Sequence, residues 1–317
     1  MSSEAHTEEG LAASTHRLWV VGVDGSSCAR DALDWATNHV ADRGDALHVV
    51  TAWQTPLNGS PGLAAPMAVP IDDSTLADAA ATTAEEEAKH AAESSPVPVH
   101  AVVAHGSASP ALLEAGKEAE LLVVGSRGRG GFGRLLLGST STQCATHATM
   151  PIAVIPHDTT ITTTTGIVVA IDGSPNSLSA LEWVLGFARP GTTITVIWVW
   201  DATPLAVGAD EFFFPDASAT AETRFHHLID EVVQSRPDND ITIERSFVHG
   251  RPRSTIADAC TGADMLVLGA RGHGAVGSAL LGSVSTWLLH HVEIPVVVVP
   301  HPVDESDGND PADPADD

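Results

Sequence analysis

Basic residues are scarce. The chain has 317 residues with 15 Lys plus Arg against 41 Asp plus Glu, a formal net charge of -26, and its lysines are Lys89 and Lys117 alone. So acidic a surface repels phosphate backbones and anionic headgroups, which excludes bulk nucleic-acid binding and requires any anion site to be built locally. No Gly-Lys-Ser/Thr occurs, so there is no Walker loop. Cysteine is sparse too: Cys28, Cys144 and Cys260 are isolated and form no CxxC pair. That excludes a disulfide scaffold and suits a reducing compartment. Long apolar runs are also missing, since a stretch such as Ile194–Trp200 falls far below the roughly 18 residues of a membrane span. Met1–His16 is polar and has no apolar segment of the kind a signal peptide needs. Together these absences predict a cytoplasmic protein with neither nucleic acid nor membrane as a partner.

What is present is enough apolar material for real cores: 43% hydrophobic and 18% charged residues. At roughly 100–200 residues per domain, the length allows about two. The sequence is in fact written twice. Leu121–Thr142 (LLVVGSRGRGGFGRLLLGSTST) and Met265–Thr286 (MLVLGARGHGAVGSALLGSVST) are identical at 13 of 22 positions without a gap, at an offset of 144. Val20–Ser26 (VVGVDGS) returns as Val168–Ser174 (VVAIDGS), His105-Gly106 as His249-Gly250, and Met150–Pro156 as Ile294–Pro300. Such a period is too long for a solenoid and marks two copies of a whole domain. The boundaries are a tail 1–16, a first domain 17–157, a linker 158–165, a second domain 166–301 and an acidic tail 302–317 read as disordered.

Each copy alternates short Val/Ile/Leu runs with longer amphipathic ones. The strands expected in the first copy are 18–23, 46–53, 97–104, 121–125 and 152–155, with helices over 27–42, 74–93, 109–119 and 139–148. Nearly continuous apolar runs suit strands buried on both faces of a parallel sheet. Several of these helices open with Ser, whose hydroxyl can accept an unpaired backbone N–H at a helix start. Strand–helix alternation with right-handed crossovers predicts an α/β fold of two tandem doubly wound domains. Long connections, 54–73 and 201–218, follow the second strand of each copy, the latter carrying Phe212-Phe213-Phe214.

The fourth strand of each copy runs into Gly125-x2-Gly128-x9-Gly138-Ser139 and Gly269-x2-Gly272-x9-Gly282-Ser283. Ligands of open α/β sheets bind at the carboxyl ends of the strands. Glycines there permit positive φ and let main-chain N–H groups approach a ligand. The serine-rich start of the next helix adds free N–H groups, hydroxyls and the positive helix end, which together suit phosphate oxygens. Arg127, Arg129, Arg134 and Arg271 lie within the loops, and Arg251 and Arg253 follow His249-Gly250. The competing reading is a tight crossover whose arginines pair with surface acids. Gly128-x-Gly130-x2-Gly133 and Gly272-x-Gly274-x2-Gly277 also fit GxGxxG. They follow a fourth strand rather than a first, and no acid closes the next strand, so a nicotinamide site is set aside.

These residues resemble the universal stress proteins in their tandem form. The family's ATP-binding motif G-x2-G-x9-G-S/T is matched by both loops, and Gly22–Ser26 (GVDGS) and Ala170–Ser174 (AIDGS) match its first-strand signature. The resemblance covers about 17–157 and 166–301. It implies five parallel strands per domain in the order 3-2-1-4-5, helices on both faces and ATP at the carboxyl edge. In the first copy it implies that Asp24, Ala52, Gly125, Arg127, Gly128, Gly138, Ser139, Thr140 and Ser141 surround the nucleotide. In the second copy the set is Asp172, Val199, Gly269, Arg271, Gly272, Gly282, Ser283, Val284 and Ser285. It further implies that the fifth strands, 152–155 and 296–299, pair within one chain as a pseudo-dimer, with a homodimer of tandem chains left open.

Asp24 and Asp172 also suit a plain turn and helix cap, or one carboxylate of a Mg2+ bridging phosphates, with no second acid in the motif. His105 and His249 suit either packed histidines or ligand contacts. No lysine at the phosphates, no paired carboxylates and no nucleophile–base arrangement occur in the motif, so no catalytic or metal residue is assigned. A regulatory ATP-binding protein is expected. A slow ATP hydrolase or phosphotransferase using Asp24 or His105, and a nucleotide-independent interaction module using the acidic surface or Phe212–Phe214, are the alternatives.

Overall fold

A computed structural model describes residues 17–40, 46–55, 72–128, 137–159, 164–201, 215–234, 240–272 and 281–301. Both tails, Arg129, Arg134, Phe212–Phe214, most of the two long connections and the middle of the linker, 160–163, lie outside the described residues. The first half runs β1 (Leu18–Gly22), α1 (Ser27–Val40), β2 (Ala46–Trp53), α2 (Asp73–Ala92), β3 (Val99–His105), α3 (Ala108–Ala115), β4 (Leu121–Gly125), α4 (Ser139–His147) and β5 (Ile152–Ile155). The second half repeats it: β6 (Gly166–Ala170), α5 (Pro175–Phe187), β7 (Thr193–Trp200), α6 (Pro215–Gln234), β8 (Thr242–His249), α7 (Pro252–Ala259), β9 (Met265–Gly269), α8 (Ser283–His291) and β10 (Val296–Val299).

Within each half all pairings are parallel, in the order expected from the resemblance. β10 then pairs antiparallel with β5, Val297 opposite Ala153, so the halves share one ten-stranded sheet, β3-β2-β1-β4-β5-β10-β9-β6-β7-β8. Alternation along each strand feeds two cores. Trp19, Val21, Leu121 and Val123 point toward α1 and α2, with Ile167, Val169, Met265 and Val267 toward α5 and α6. Val20, Leu122, Val124 and their counterparts Val168, Leu266 and Leu268 point to the layer holding α3, α4, α7 and α8. This is why the runs read as continuously apolar.

An aromatic stack spans the junction of the halves. Trp35 of α1 and Phe187 of α5 lie 6.4 Å apart and 3° from parallel, with Trp183, Trp19 and His39 extending the stack. His39 is buried; its Nδ1 lies 2.7 Å from the Trp35 carbonyl, to which it donates, and its Nε2 accepts from the Thr164 hydroxyl at 2.7 Å. The linker end is thereby fixed onto α1.

Two local expectations need correction. The third helix stops at Ala115 rather than Ala119, because 116–119 closes as a turn with Ala119 N–H donating to the Gly116 carbonyl at 2.9 Å. The serines that open helices are also not the caps. Ser26 and Ser174, one position outside, accept from Ala29 N–H at 3.2 Å and Ser177 N–H at 3.3 Å. The cap positions of α4 and α8 are Gly138 and Gly282, where no side chain caps the helix.

The end of β4 touches the first turn of α1 backbone to backbone. A Cβ added at Gly125 would lie 2.6 Å from the Cys28 carbonyl oxygen, and one at Gly269 would lie 2.7 Å from Asn176 C and Ser177 N. Gly138 is different: its added Cβ meets nothing closer than 3.4 Å. Gly125→Ala and Gly269→Ala are therefore expected to cost about 1–3 kcal/mol each through overpacking, read as a fall of several degrees in calorimetric Tm. Gly138→Ala should leave Tm nearly unchanged, and equal losses at all three positions would contradict this geometry. Burial also pushes the Cys144 and Cys260 thiols up to about 12. Neither is expected to alkylate with iodoacetamide at roughly pH 8 until the chain is unfolded in urea, because the thiolate is the reactive form; mass spectrometry of the native protein checks it.

Candidate functional site

At the carboxyl end of β1 the chain turns sharply through Asp24-Gly25-Ser26. Gly25 has φ +76 and Gly173, its counterpart, φ +80, the left-handed region that favours glycine. Asp24 Oδ1 accepts the Ser26 N–H at 3.0 Å, and Asp172 Oδ1 accepts the Ser174 N–H at 3.0 Å. One carboxylate oxygen of each aspartate thus builds the turn. The other lies over the glycine loop: an added Cβ at Gly128 would sit 2.6 Å from Asp24 Oδ2, and Gly272 meets Asp172 Oδ2 in the same way. The turn reading and the site reading of these aspartates are therefore compatible, because each uses a different oxygen.

The glycine loop leaves and returns through a narrow neck. Ser126 N–H donates to Ile155 O at 2.7 Å and Gly138 N–H to Ser126 O at 2.7 Å; Ala270–Val299 and Gly282–Ala270 repeat the pair at 2.9 and 2.8 Å. Ser141 Oγ donates to the carbonyls of Ser126 and Gly138 at 2.9 and 3.0 Å, and Ser285 Oγ to Gly269 O at 2.9 Å. These two hydroxyl protons hold the loop shut. Arg127 N–H donates to Cys28 Sγ at 3.4 Å, and Ser174 Oγ donates to Arg271 O at 3.2 Å, tying each loop to the helix after its Asp-Gly-Ser turn.

The expectation that the motif glycines supply positive φ is corrected here. Among the described residues none of Gly125, Gly128, Gly138, Gly269, Gly272 or Gly282 has positive φ. What Gly125, Gly128, Gly269 and Gly272 contribute is the absence of a Cβ, against α1 or α5 for the first of each pair and against the aspartate for the second.

These pieces enclose a cavity of about 400 Å³ in the first half. Every first-copy residue that the family resemblance implies lines it: Asp24, Ala52, Gly125, Arg127, Gly128, Gly138, Ser139, Thr140 and Ser141. A cavity of about 540 Å³ in the second half is lined by Asp172, Val199, Gly269, Arg271, Gly272, Gly282, Ser283, Val284 and Ser285. The walls missed by sequence reasoning are mainly apolar. Val50, Leu112, Leu137 and Ala108 are among those of the first, and Ile256, Pro252 and Leu281 among those of the second, where Ser177 adds a polar group. Leu112 and Ile256 face inward only because α3 and α7 pack across the strand ends; helical periodicity alone does not reveal this.

Other sequence candidates lie elsewhere. His105 is exposed, its ring edge-on to Trp53 at 4.7 Å, and His249 is exposed with Nε2 3.1 Å from Ser218 Oγ. Neither is among the residues lining these two cavities. Arg251 and Arg253 are exposed at the start of α7 and line neither cavity. Among the described residues, the cations lining the cavities are Arg127 and Arg271, and the carboxylates are Asp24 and Asp172.

Chemically, each cavity has an apolar end built from strand and helix side chains and a polar end built from main chain. At the polar end sit the first N–H groups of α4 or α8, which have no partner within the helix, the hydroxyls of Ser139 and Thr140 or of Ser283, and one arginine. Such an end favours an anion, and the opposite end favours a flat apolar group.

The model of the universal stress protein family matches the chain twice, over residues 18–156 and 164–300. A universal stress protein of Mycobacterium tuberculosis is 29% identical over 303 residues, covering 90% of this chain and 95% of that protein. One of Mycolicibacterium smegmatis is 28% identical over 305 residues, covering 88% and 96%. Among solved structures, a universal stress protein from Archaeoglobus fulgidus is similar with a TM-score of 0.65 at 21% identity, covering 90% of this chain and 98% of that one; this is a likeness of fold. With both halves matched along nearly their whole length, the chain belongs to the universal stress protein family.

Proposed function

We propose that each cavity binds an adenine nucleotide, ATP, and that the protein is a nucleotide-binding regulator with a role in stress survival. The observation that carries this reading is the duplicated cradle, in which a Cβ at Gly128 or Gly272 would crowd the aspartate carboxylate above it and the start of the next helix lacks a side-chain cap. Phosphates suit the N-terminal turns of α4 and α8, where amides, Ser139, Thr140 and Ser283 converge with Arg127 or Arg271. Ribose hydroxyls suit Asp24 or Asp172, and the base suits the apolar end formed by Val50, Ala52 and Leu112, or by Val199 and Ile256. Volumes of about 400 and 540 Å³ fall within the roughly 300–1,000 Å³ of small-ligand pockets. The role in stress survival rests on the family alone. A Mg2+ accompanying the phosphates would have one protein carboxylate at each site and would take its other ligands from phosphate and water.

Isothermal titration of the full chain with ATP is expected to give two equivalents. Gly128→Val and Gly272→Val should each remove one, or weaken it by at least about tenfold, with the circular dichroism spectrum retained. An unchanged stoichiometry in both variants would refute the assignment. A slow hydrolase remains the second reading because Asp24 lines the same cavity. No phosphate release above the buffer blank is expected from the purified chain. Release that disappears in Asp24→Asn would replace the binding reading with the hydrolytic one.

A further inference from the structure

Where β5 ends, beside the junction of the two halves, three side chains converge that the cavities do not use. The geometry points to a divalent transition-metal site, suited to Zn2+, formed by His157 and Asp158 with Asp31 as the residue that positions the histidine. Asp31 Oδ2 receives the His157 Nδ1–H at 2.6 Å and the Asp158 backbone N–H at 3.0 Å. With its Nδ1 proton committed to a carboxylate, the imidazole presents the Nε2 lone pair outward. This is the arrangement of most metal-bound histidines, which donate their other ring N–H to a carboxylate or carbonyl.

His157 Nε2 and Asp158 Oδ1 are 3.6 Å apart, too far for a hydrogen bond. With Zn–N and Zn–O bonds of about 2.0–2.2 Å, two ligands of a tetrahedral ion lie roughly 3.4 Å apart, so an ion fits between them with little movement. Among the described residues, the ion pairs of Asp31 and Asp158 are with His157 and with no Lys or Arg. The ligating atoms of all three residues lie within 4.8 Å of one another. His157 and Asp158 also border a separate cavity of about 370 Å³ at the junction, and Glu293 of the second half lines the same space. That cavity, which Arg127 lines as well as Glu293, offers an approach for the ion.

The internal duplication provides a control. His301, the counterpart of His157, has its Nδ1 3.0 Å from the Ser179 hydroxyl and its backbone N–H on Asn176 Oδ1 at 2.9 Å. Ser179 stands where the first copy has Asp31. The second copy therefore has the imidazole without the carboxylate, and the site belongs to one half only.

The test uses the full chain, stripped with EDTA, dialysed free of nucleotide and titrated with ZnCl2 alone. One equivalent is expected to bind more tightly than the background of scattered surface histidines and acids. His157→Ala and Asp158→Asn should each weaken that equivalent by at least about tenfold, while His301→Ala leaves it unchanged. Co2+ substituted at the site should give a visible absorption band that both first-copy variants lose. Identical isotherms for the native chain and both first-copy variants, or an equal loss in His301→Ala, would overturn the assignment and reduce binding to dispersed surface ligands. Asp158, with a side chain 88% exposed, keeps the test open if His157→Ala fails to fold.

Discussion

The contact between the last residue of β4 and the first turn of α1 organises the first half, and its counterpart between β9 and α5 organises the second. At Gly125 and Gly269 the strand backbone lies against helix backbone with no room for a Cβ. That approach sets the height of the Asp-Gly-Ser turn relative to the glycine loop. It brings the Asp24 carboxylate over Gly128 and lets Arg127 N–H reach Cys28 Sγ. Push the two backbones apart and the aspartate, the loop neck and the start of α4 no longer enclose a common space. Packing and site geometry are therefore one constraint, met by the same missing methyl group.

An anion bound as proposed in a chain of net charge -26 would have to rely on fixed, short-range partial charges. Main-chain amides at a helix start provide them: their dipoles are held in place by the fold, and their effect fades within the first turn. The single arginine at each cavity adds charge locally without offsetting the acidity of the surface as a whole. The hydroxyls of Ser141 and Ser285 serve the same end indirectly, closing the loop neck onto its own carbonyls so that the amides stay pointed at the cavity.

Much of this was legible in the sequence because the relevant signals are local. Runs such as Leu121–Gly125 are apolar on both faces, and that alone separates a central parallel strand from a half-exposed one. The repeat located the second cavity once the first was recognised, and the residues singled out in both copies do line them. Two things were not legible. A glycine needed for positive φ and a glycine needed for the lack of a Cβ are the same letter, so the sequence offers both reasons at Gly125 and Gly128, and the backbone shows that only the steric one applies. Side-chain direction near a sheet edge also depends on packing between helices. His105 and Arg251 sit close to the cavities in sequence order yet turn outward, while Leu112 and Ile256 turn in.

The antiparallel pairing of β5 with β10 has a consequence for how such a molecule varies. Two identical subunits meeting across a twofold axis must accept every substitution at both places at once. Here the equivalent positions belong to one polypeptide, so each can change without its mirror. Asp31 opposite Ser179, Thr140 opposite Val284 and cavities of unequal size record that freedom. The fused sheet keeps the symmetry that holds the halves together while releasing the two cavities to diverge.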